Sequence, residues 1–195
     1  MVVVTTDKNN NGIAEFDNQV KIQEYAEAYQ LYDLMHGRSH GREWKSSVFF
    51  VIALIMFFIL SMEHFNLVKV PAATIVLLIS SYMCTHYLYL LPRKAKLLGE
   101  HIYKSSHLLS KSCHFKIERD NFTLKNDYEY IKKYNTDITD CIETDEMFVL
   151  MGGIDKKIVV ISKRCLDEQQ YEVLSHHFQA RMVKQYRRTK QLRGK

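Results

Sequence analysis

The chain has no C-x-x-C pair, no H-E-x-x-H and no glycine-rich phosphate loop. These absences remove the usual zinc and dithiol spacings, a zinc-protease helix and a nucleotide-phosphate cradle. Internal repeats are also lacking, which excludes a solenoid. No catalytic constellation is read from the residues, so the expectation is a protein that is not an enzyme and that carries no metal and no cofactor.

Charge is missing from two long stretches. Ser46–Met62, SSVFFVIALIMFFILSM, contains no charged residue, glycine or proline. Val70–Leu91, VPAATIVLLISSYMCTHYLYLL, contains no formal charge, although His86 can acquire one. A membrane-spanning helix needs roughly 20 apolar residues, within a range of about 17–25. Phe49–Leu60 is apolar all round, whereas a soluble helix keeps one polar face. The first stretch begins beyond the window of roughly 15–30 residues of a signal peptide and has no small-residue cleavage pattern. Trp44, Tyr87 and Tyr89 stand where aromatic rings suit the headgroup boundary.

The connection EHFNLVK, Glu63–Lys69, is short, and so predicts an antiparallel helical hairpin. Pro71 falls at the start of the second helix, where a missing N–H costs little. Arg38, Arg42 and Lys45 precede the hairpin, Arg93, Lys94 and Lys96 follow it, and the turn offers only Lys69. The positive-inside rule then puts both flanks, and with them both termini, in the cytoplasm, and the turn on the other side. The four cysteines, Cys84, Cys113, Cys141 and Cys165, are read as reduced, small packing residues.

Outside the hairpin the pattern changes along the chain. MVVVTT reads as a strand, DKNNNG as a polar turn, and QVKIQEYAEAYQLYDLMH as an amphipathic helix with Tyr25, Tyr29 and Tyr32 on one face. Beyond the second span, KAKLLGEHIYKSSHLLSK continues as a juxtamembrane helix or linker. From Ser112 onward short alternating runs predict strands: Cys113–Glu118, Phe122–Leu124, a Tyr128–Tyr134 aromatic run, Ile138–Ile142, Met147–Met151 and Lys157–Ser162, with Gly152-Gly153 as a hairpin turn. Asp167-Glu168-Gln169-Gln170 opens a last helix in which Leu174, Phe178 and Met182, four apart, form one stripe.

The predicted organisation is therefore an N-terminal strand and amphipathic helix over 1–45, cytosolic; a two-helix transmembrane hairpin over 46–91; a juxtamembrane helix or linker over 92–111; a cytosolic β unit with a C-terminal helix over 112–183; and a basic tail over 184–195. The fold class expected is an α+β membrane protein with a small antiparallel sandwich or barrel closed by that helix.

The runs HFKIERDNFTL, EYIKKYNTDITDCIETDEMFVLM and KIVVISKRCLDEQQYEVLSHHF, in that order after two spans, resemble the C-terminal domain of YcxB-like bacterial membrane proteins. The best-matching part is Cys141-Ile-Glu-Thr-Asp-Glu-Met-Phe-Val-Leu followed by Ile161-Ser-Lys-Arg-Cys-Leu. Tyr134 stands where that family often has Trp, and Ser162 where it often has Pro. The resemblance implies a pleckstrin-homology-like β domain and no established reaction.

Four candidate sites are weighed against plainer readings. Asp7–Asn18 begins like a calcium loop, but its twelfth position is Asn18 where a bidentate Glu is needed, so it is read as a turn. Among nine histidines, His36 and His40 are separated by Gly37 in a loop, and His176 and His177 point apart on a helix. His86, near Cys84, is the intramembrane polar candidate; a membrane enzyme or redox component built on these two is the first alternative function. Glu143, Asp145 and Glu146 are read as a solvated acidic turn rather than an acid–base pair.

The basic residues Lys184, Arg187, Arg188, Lys190 and Arg193 are candidates for contact with anionic lipid, and no nucleic-acid role is assigned to them. The leading expectation is a non-enzymatic membrane protein that presents its β domain to membrane lipid or to a protein partner, which includes a second copy of itself. An exposed sheet edge or the groove under the C-terminal helix is the expected surface. A small accessory subunit of a transporter is the other alternative, with Ala72-Ala73 and Ser80-Ser81 as small faces for helix contact.

Overall fold

The computed structural model describes residues 12–37, 41–62, 69–152 and 158–188. MVVVTT, the DKNNN stretch, the hairpin connection up to Val68, Gly153, Lys190 and Arg193 lie outside the described residues. The chain is α+β and divides into two compact units, one built from the chain up to Ala28 and from Glu100 onward, the other from Tyr29–Gly99.

The first unit holds two four-stranded sheets. In one, β1 (Gly12–Asn18), β2 (Cys113–Glu118), β3 (Asn121–Lys125) and β4 (Tyr130–Tyr134) are neighbours in that order, all antiparallel. In the other, β5 (Ile138–Glu143), β6 (Met147–Gly152) and β7 (Val159–Ser162) form an antiparallel meander, and β8 (Tyr186–Arg188) joins the far edge of β5 in parallel. α6 (Glu168–Arg181) follows β7; α1 (Ile22–His36) follows β1.

The sheets share one core because β2 alternates. Phe115 and Ile117 point inward and are buried, while His114 and Lys116 point out. Phe115 stacks between Phe16 of β1, 5.2 Å away, and Phe122 of β3, 5.5 Å away. Phe148, Leu150 and Ile161 of the second sheet reach the same core. The other face of that sheet is buried too, at Val149, Met151 and Val160. Strands buried on both faces need near-continuous apolar runs, and MFVLM and VVI are such runs.

Gly152 ends β6 with φ +124°, opposite a register shift between Ile138 and Asp140. A Cβ there would sit 2.5 Å from the Asp137 carbonyl, so the position requires glycine.

α6 closes the core. Asp167 caps it by accepting from the Gln170 N–H at 2.6 Å, and the Gln170 side chain returns to the Asp167 N–H at 3.0 Å. Leu174, Phe178 and Met182 lie in the shared core as their spacing predicts, with Phe178 edge-on to Phe148 at 5.4 Å.

Two expectations change. The β unit does not begin at 112: Gly12–Asn18, expected to continue a polar turn, is the first strand of its first sheet. GIAEFDN hides the signal, because only Phe16 and Asn18 in it are fully buried, Ile13 and Ala14 being partly buried against the core, while Glu15 and Asp17 face Lys116 and His114. The basic tail is not wholly free, since Tyr186–Arg188 forms β8. The stretch 92–111, expected as a helix or a linker, is helical over most of its length, as α4 (Leu91–Ser105) and the short α5 (His107–Ser110).

The second unit contains α2 (Arg42–Met62) and α3 (Lys69–Thr85), which pack against each other. Helix continues from Lys69 to Ser105, through a π-helical turn at His86–Leu90. There the Leu91 N–H bonds to the His86 carbonyl, five residues back. Pro92 lacks an N–H and its ring crowds the carbonyl four residues back, and the wider turn just before it absorbs that conflict. Both α2 and the helix from Lys69 are long and apolar enough to cross a membrane, and their apolar windows are almost wholly exposed. Phe58 and Leu78, for instance, are 63% and 65% exposed.

Candidate functional site

Two polar clusters tie the β unit together, and a third surface is left open. The first cluster joins the two sheets at one corner. Asn18, fully buried at the end of β1, donates through Nδ2 to the Val160 carbonyl at 2.8 Å and accepts from the Ser162 N–H at 3.1 Å. Ser162 Oγ donates to Glu24 Oε1 at 2.8 Å, and Arg164 Nε donates to the same oxygen at 3.2 Å. Glu24 Oε2 accepts from the Lys21 N–H, fixing the first turn of α1. A proline in place of Ser162 would have no N–H for Asn18 and no hydroxyl for Glu24. On the opposite side, Lys133 Nζ donates to the Gly152 carbonyl at 2.8 Å, linking β4 to β6.

The second cluster surrounds Glu143, the last residue of β5. Its side chain is 1% exposed, which corrects the expectation of a solvated acidic turn. Lys163 Nζ donates to Oε1 at 2.6 Å, Tyr171 OH donates to Oε1 at 2.8 Å, and Tyr186 OH donates to Oε2. The Lys163 ammonium also lies over the rings of Phe148 and Tyr171, at 4.9 and 4.8 Å. Burial works to raise the Glu143 pKa, but the bonds from Lys163, Tyr186 and Tyr171 outweigh it, and the carboxyl sits below its ordinary value. With every donor already fixed on the carboxylate, the cluster is a structural anchor for α6 and β8.

That anchor changes the picture of the tail. Arg187 pairs with Asp140 at 3.7 Å and Arg188 with Glu143 at 3.8 Å, each guanidinium remaining mostly exposed. Lys184 is exposed and makes no ion pair among the described residues. The edge of β5 is occupied by β8, so it is not the exposed sheet edge expected as a docking surface.

The open surface is the outer face of β3 and β4. Tyr130, Lys132 and Tyr134 alternate outward on β4, Lys125 stands opposite Tyr130 on β3, and Tyr128 lies in the connecting hairpin. Neither Lys125 nor Lys132 forms an ion pair among the described residues; the Lys132 ammonium lies 5.5 Å from the Tyr134 ring. Asp127 and Glu129 in the hairpin moderate its positive charge. The sequence showed the tyrosines but not that they share a face with two lysines on a free sheet edge.

The remaining candidates do not assemble. His86 lies between the rings of Tyr82 and Tyr87, at 6.0 and 5.3 Å, and Cys84 is two positions away on the helix, where side chains do not face each other. His177 is buried and His176 exposed; burial, then Arg181, pushes the His177 pKa down. The thiols of Cys113 and Cys141 are raised by burial to about 11 and about 12, and all four cysteines are free. Among the described residues no group of three ligating side chains lies close enough to hold a metal. Gly37-Arg38-Ser39-His40-Gly41 spells G-x-S-x-G, but it stands between α1 and α2, whereas a nucleophile elbow needs a strand before it.

No protein-family model matches the chain, and no curated protein matches it. Among solved structures it is similar to the MyTH4-FERM MF2 domain of Dictyostelium discoideum myosin VII, mutant 1, with 13% identity and a TM-score of 0.27. That match covers 80% of this chain and 37% of the other, so the chain spans little more than a third of its length. At that TM-score the likeness carries no argument.

Proposed function

We propose that the chain is a non-enzymatic, two-span protein of a bacterial inner membrane, YcxB-like, whose cytosolic domain binds the anionic lipid surface through the Tyr–Lys face of β3 and β4. One observation carries the architecture. β1 and β2 are paired in one sheet although the two long apolar helices lie between them in sequence. Whatever those helices cross, the chain crosses it an even number of times and returns to complete the same domain. Arg42 and Lys45 before the helices, and Arg93, Lys94 and Lys96 after them, favour the cytoplasmic side for that domain.

A four-strand meander, a three-strand meander and a closing helix is the order of a pleckstrin-homology-like domain, which supports that part of the reading; β8 is an addition to it. For the ligand, exposed tyrosines among unpaired lysines suit a headgroup layer, since the rings are amphipathic and the ammonium groups meet lipid phosphate. A free sheet edge at β4 favours a second reading, a partner peptide that adds as a strand.

Nanodiscs separate the two. Each lysine near an anionic leaflet contributes about 1 kcal/mol, so replacing both Lys125 and Lys132 with alanine is expected to weaken the surface contact roughly thirtyfold. Amide exchange over Tyr128–Tyr134 is expected to slow when anionic lipid is added to zwitterionic nanodiscs, and to recover in high salt or in the double variant. A stoichiometric protein that co-purifies through high salt, with no lipid dependence, would replace the lipid reading with an adaptor or transporter-subunit one.

A further inference from the structure

An apolar cavity of about 250 Å³ lies within the β unit. Val20, Leu108, Leu124, Ile131, Ile158 and Val159 supply much of its wall. They come from the chain after β1, from α5, from β3 and β4, and from the start of β7. Val20, Leu108, Leu124, Ile158 and Val159 are buried while Ser105 and Lys111 are exposed, so the pocket runs from the interior out to the surface. Protein interiors leave few voids larger than a water molecule. One water needs roughly 10–15 Å³ on the same measure, so this one has room for a chain of several groups.

Two polar side chains in the wall have turned their bonds elsewhere. Asn18 is spent on Val160 and Ser162, and Ser105 Oγ donates to the Ile102 carbonyl at 2.9 Å. Nothing in those groups calls for a polar occupant. Charge appears where the lining reaches solvent, at Lys111 and Glu129. Lys111 is held in place, with Nζ 2.8 Å from the Tyr128 hydroxyl and 4.0 Å from the centre of its ring.

We propose that this cavity binds a single-chain anionic amphiphile, a medium-chain fatty acid, with its chain between the walls and its carboxylate at Lys111. The length follows from the volume, the chain from the satisfied walls, and the sign of the head from the one lysine among the lining residues. Glu129 opposes that head and sets a limit on affinity. The inference does not rest on the proposed membrane role, because every lining residue belongs to the β unit.

The test uses the full chain in zwitterionic nanodiscs with labelled isoleucine and leucine methyls, and decanoate as the probe. Saturable shifts of the Leu124 and Ile158 methyls are expected. Lys111→Ala is expected to weaken them roughly fivefold, the size of an exposed ion pair, and Glu129→Gln to strengthen them. Ile131→Trp, which fills the space, is expected to abolish them; Lys111→Ala, at an exposed site, keeps the test decisive if that variant misfolds. Absence of a saturable shift, equal binding of decanol, or shifts that persist in a folded Ile131→Trp protein would each overturn the proposal. So would methyl contacts to bilayer lipid chains before decanoate is added, because the occupant would then be a phospholipid.

Discussion

Replacing Glu143 with alanine is expected to destabilise the β unit by roughly 3–5 kcal/mol, the cost of removing one partner from a buried ion pair. The carboxylate is 1% exposed and Lys163 only 16%, so water cannot take its place. Without it the Lys163 ammonium remains between two aromatic rings, and the hydroxyls of Tyr171 and Tyr186 lose their acceptor. Because Tyr186 and Arg188 lie on β8, the variant is also expected to release that strand. Trypsin cleavage near Lys184–Arg188 and near-ultraviolet circular dichroism melts measure the two effects.

The same carboxylate gives a pH signature. Its folded pKa is lowered, so its stabilising contribution is complete above the unfolded value of about 4.3 and fades as pH falls through the folded value. The stability gap between the natural protein and Glu143→Gln is therefore expected to hold from pH 7 to about pH 5 and to shrink in more acidic solution. A gap that stayed constant to pH 2 would mean the ion pair is not its source.

Asn18→Ala is expected to cost about 2–4 kcal/mol, since it leaves the Val160 carbonyl and the Ser162 N–H buried without partners, each worth about 1–3 kcal/mol. Its two bonds are the direct stitch between the edge strands β1 and β7. Slower refolding is not required, but amide exchange at Val160 and Ser162 should speed up markedly more than at Phe122 or Leu124. Equal acceleration throughout would indicate global loss of stability without a local seam.

The elements legible in the sequence are those with a strong period or a strong absence. Uncharged runs marked the two long helices; alternation marked β2; a four-residue stripe with an acidic cap marked α6. β1 was hidden because it carries two exposed acidic residues and its only fully buried side chains are one phenylalanine and one asparagine. Glu143 was misread for a related reason: a glutamate beside Asp145 and Glu146 looks solvated, and only tertiary structure brings Lys163, Tyr171 and Tyr186 onto it from 20 to 43 residues away. β8 lay in a stretch whose basic composition reads as a solvated tail. The tyrosines of β4 were visible, but a shared outward face with Lys125 depends on strand register, which one sequence does not reveal.

The two apolar helices are inserted into the sequence of the β domain, between strands that pair with each other. Amide exchange of the full chain in nanodiscs, followed by mass spectrometry, tests that insertion most directly. Peptides covering Gly12–Asn18 are expected to exchange about as slowly as those covering their partner strand Cys113–Glu118. Free exchange over Gly12–Asn18, with Cys113–Glu118 still protected, would contradict the account and return the domain's start to the far side of the helices.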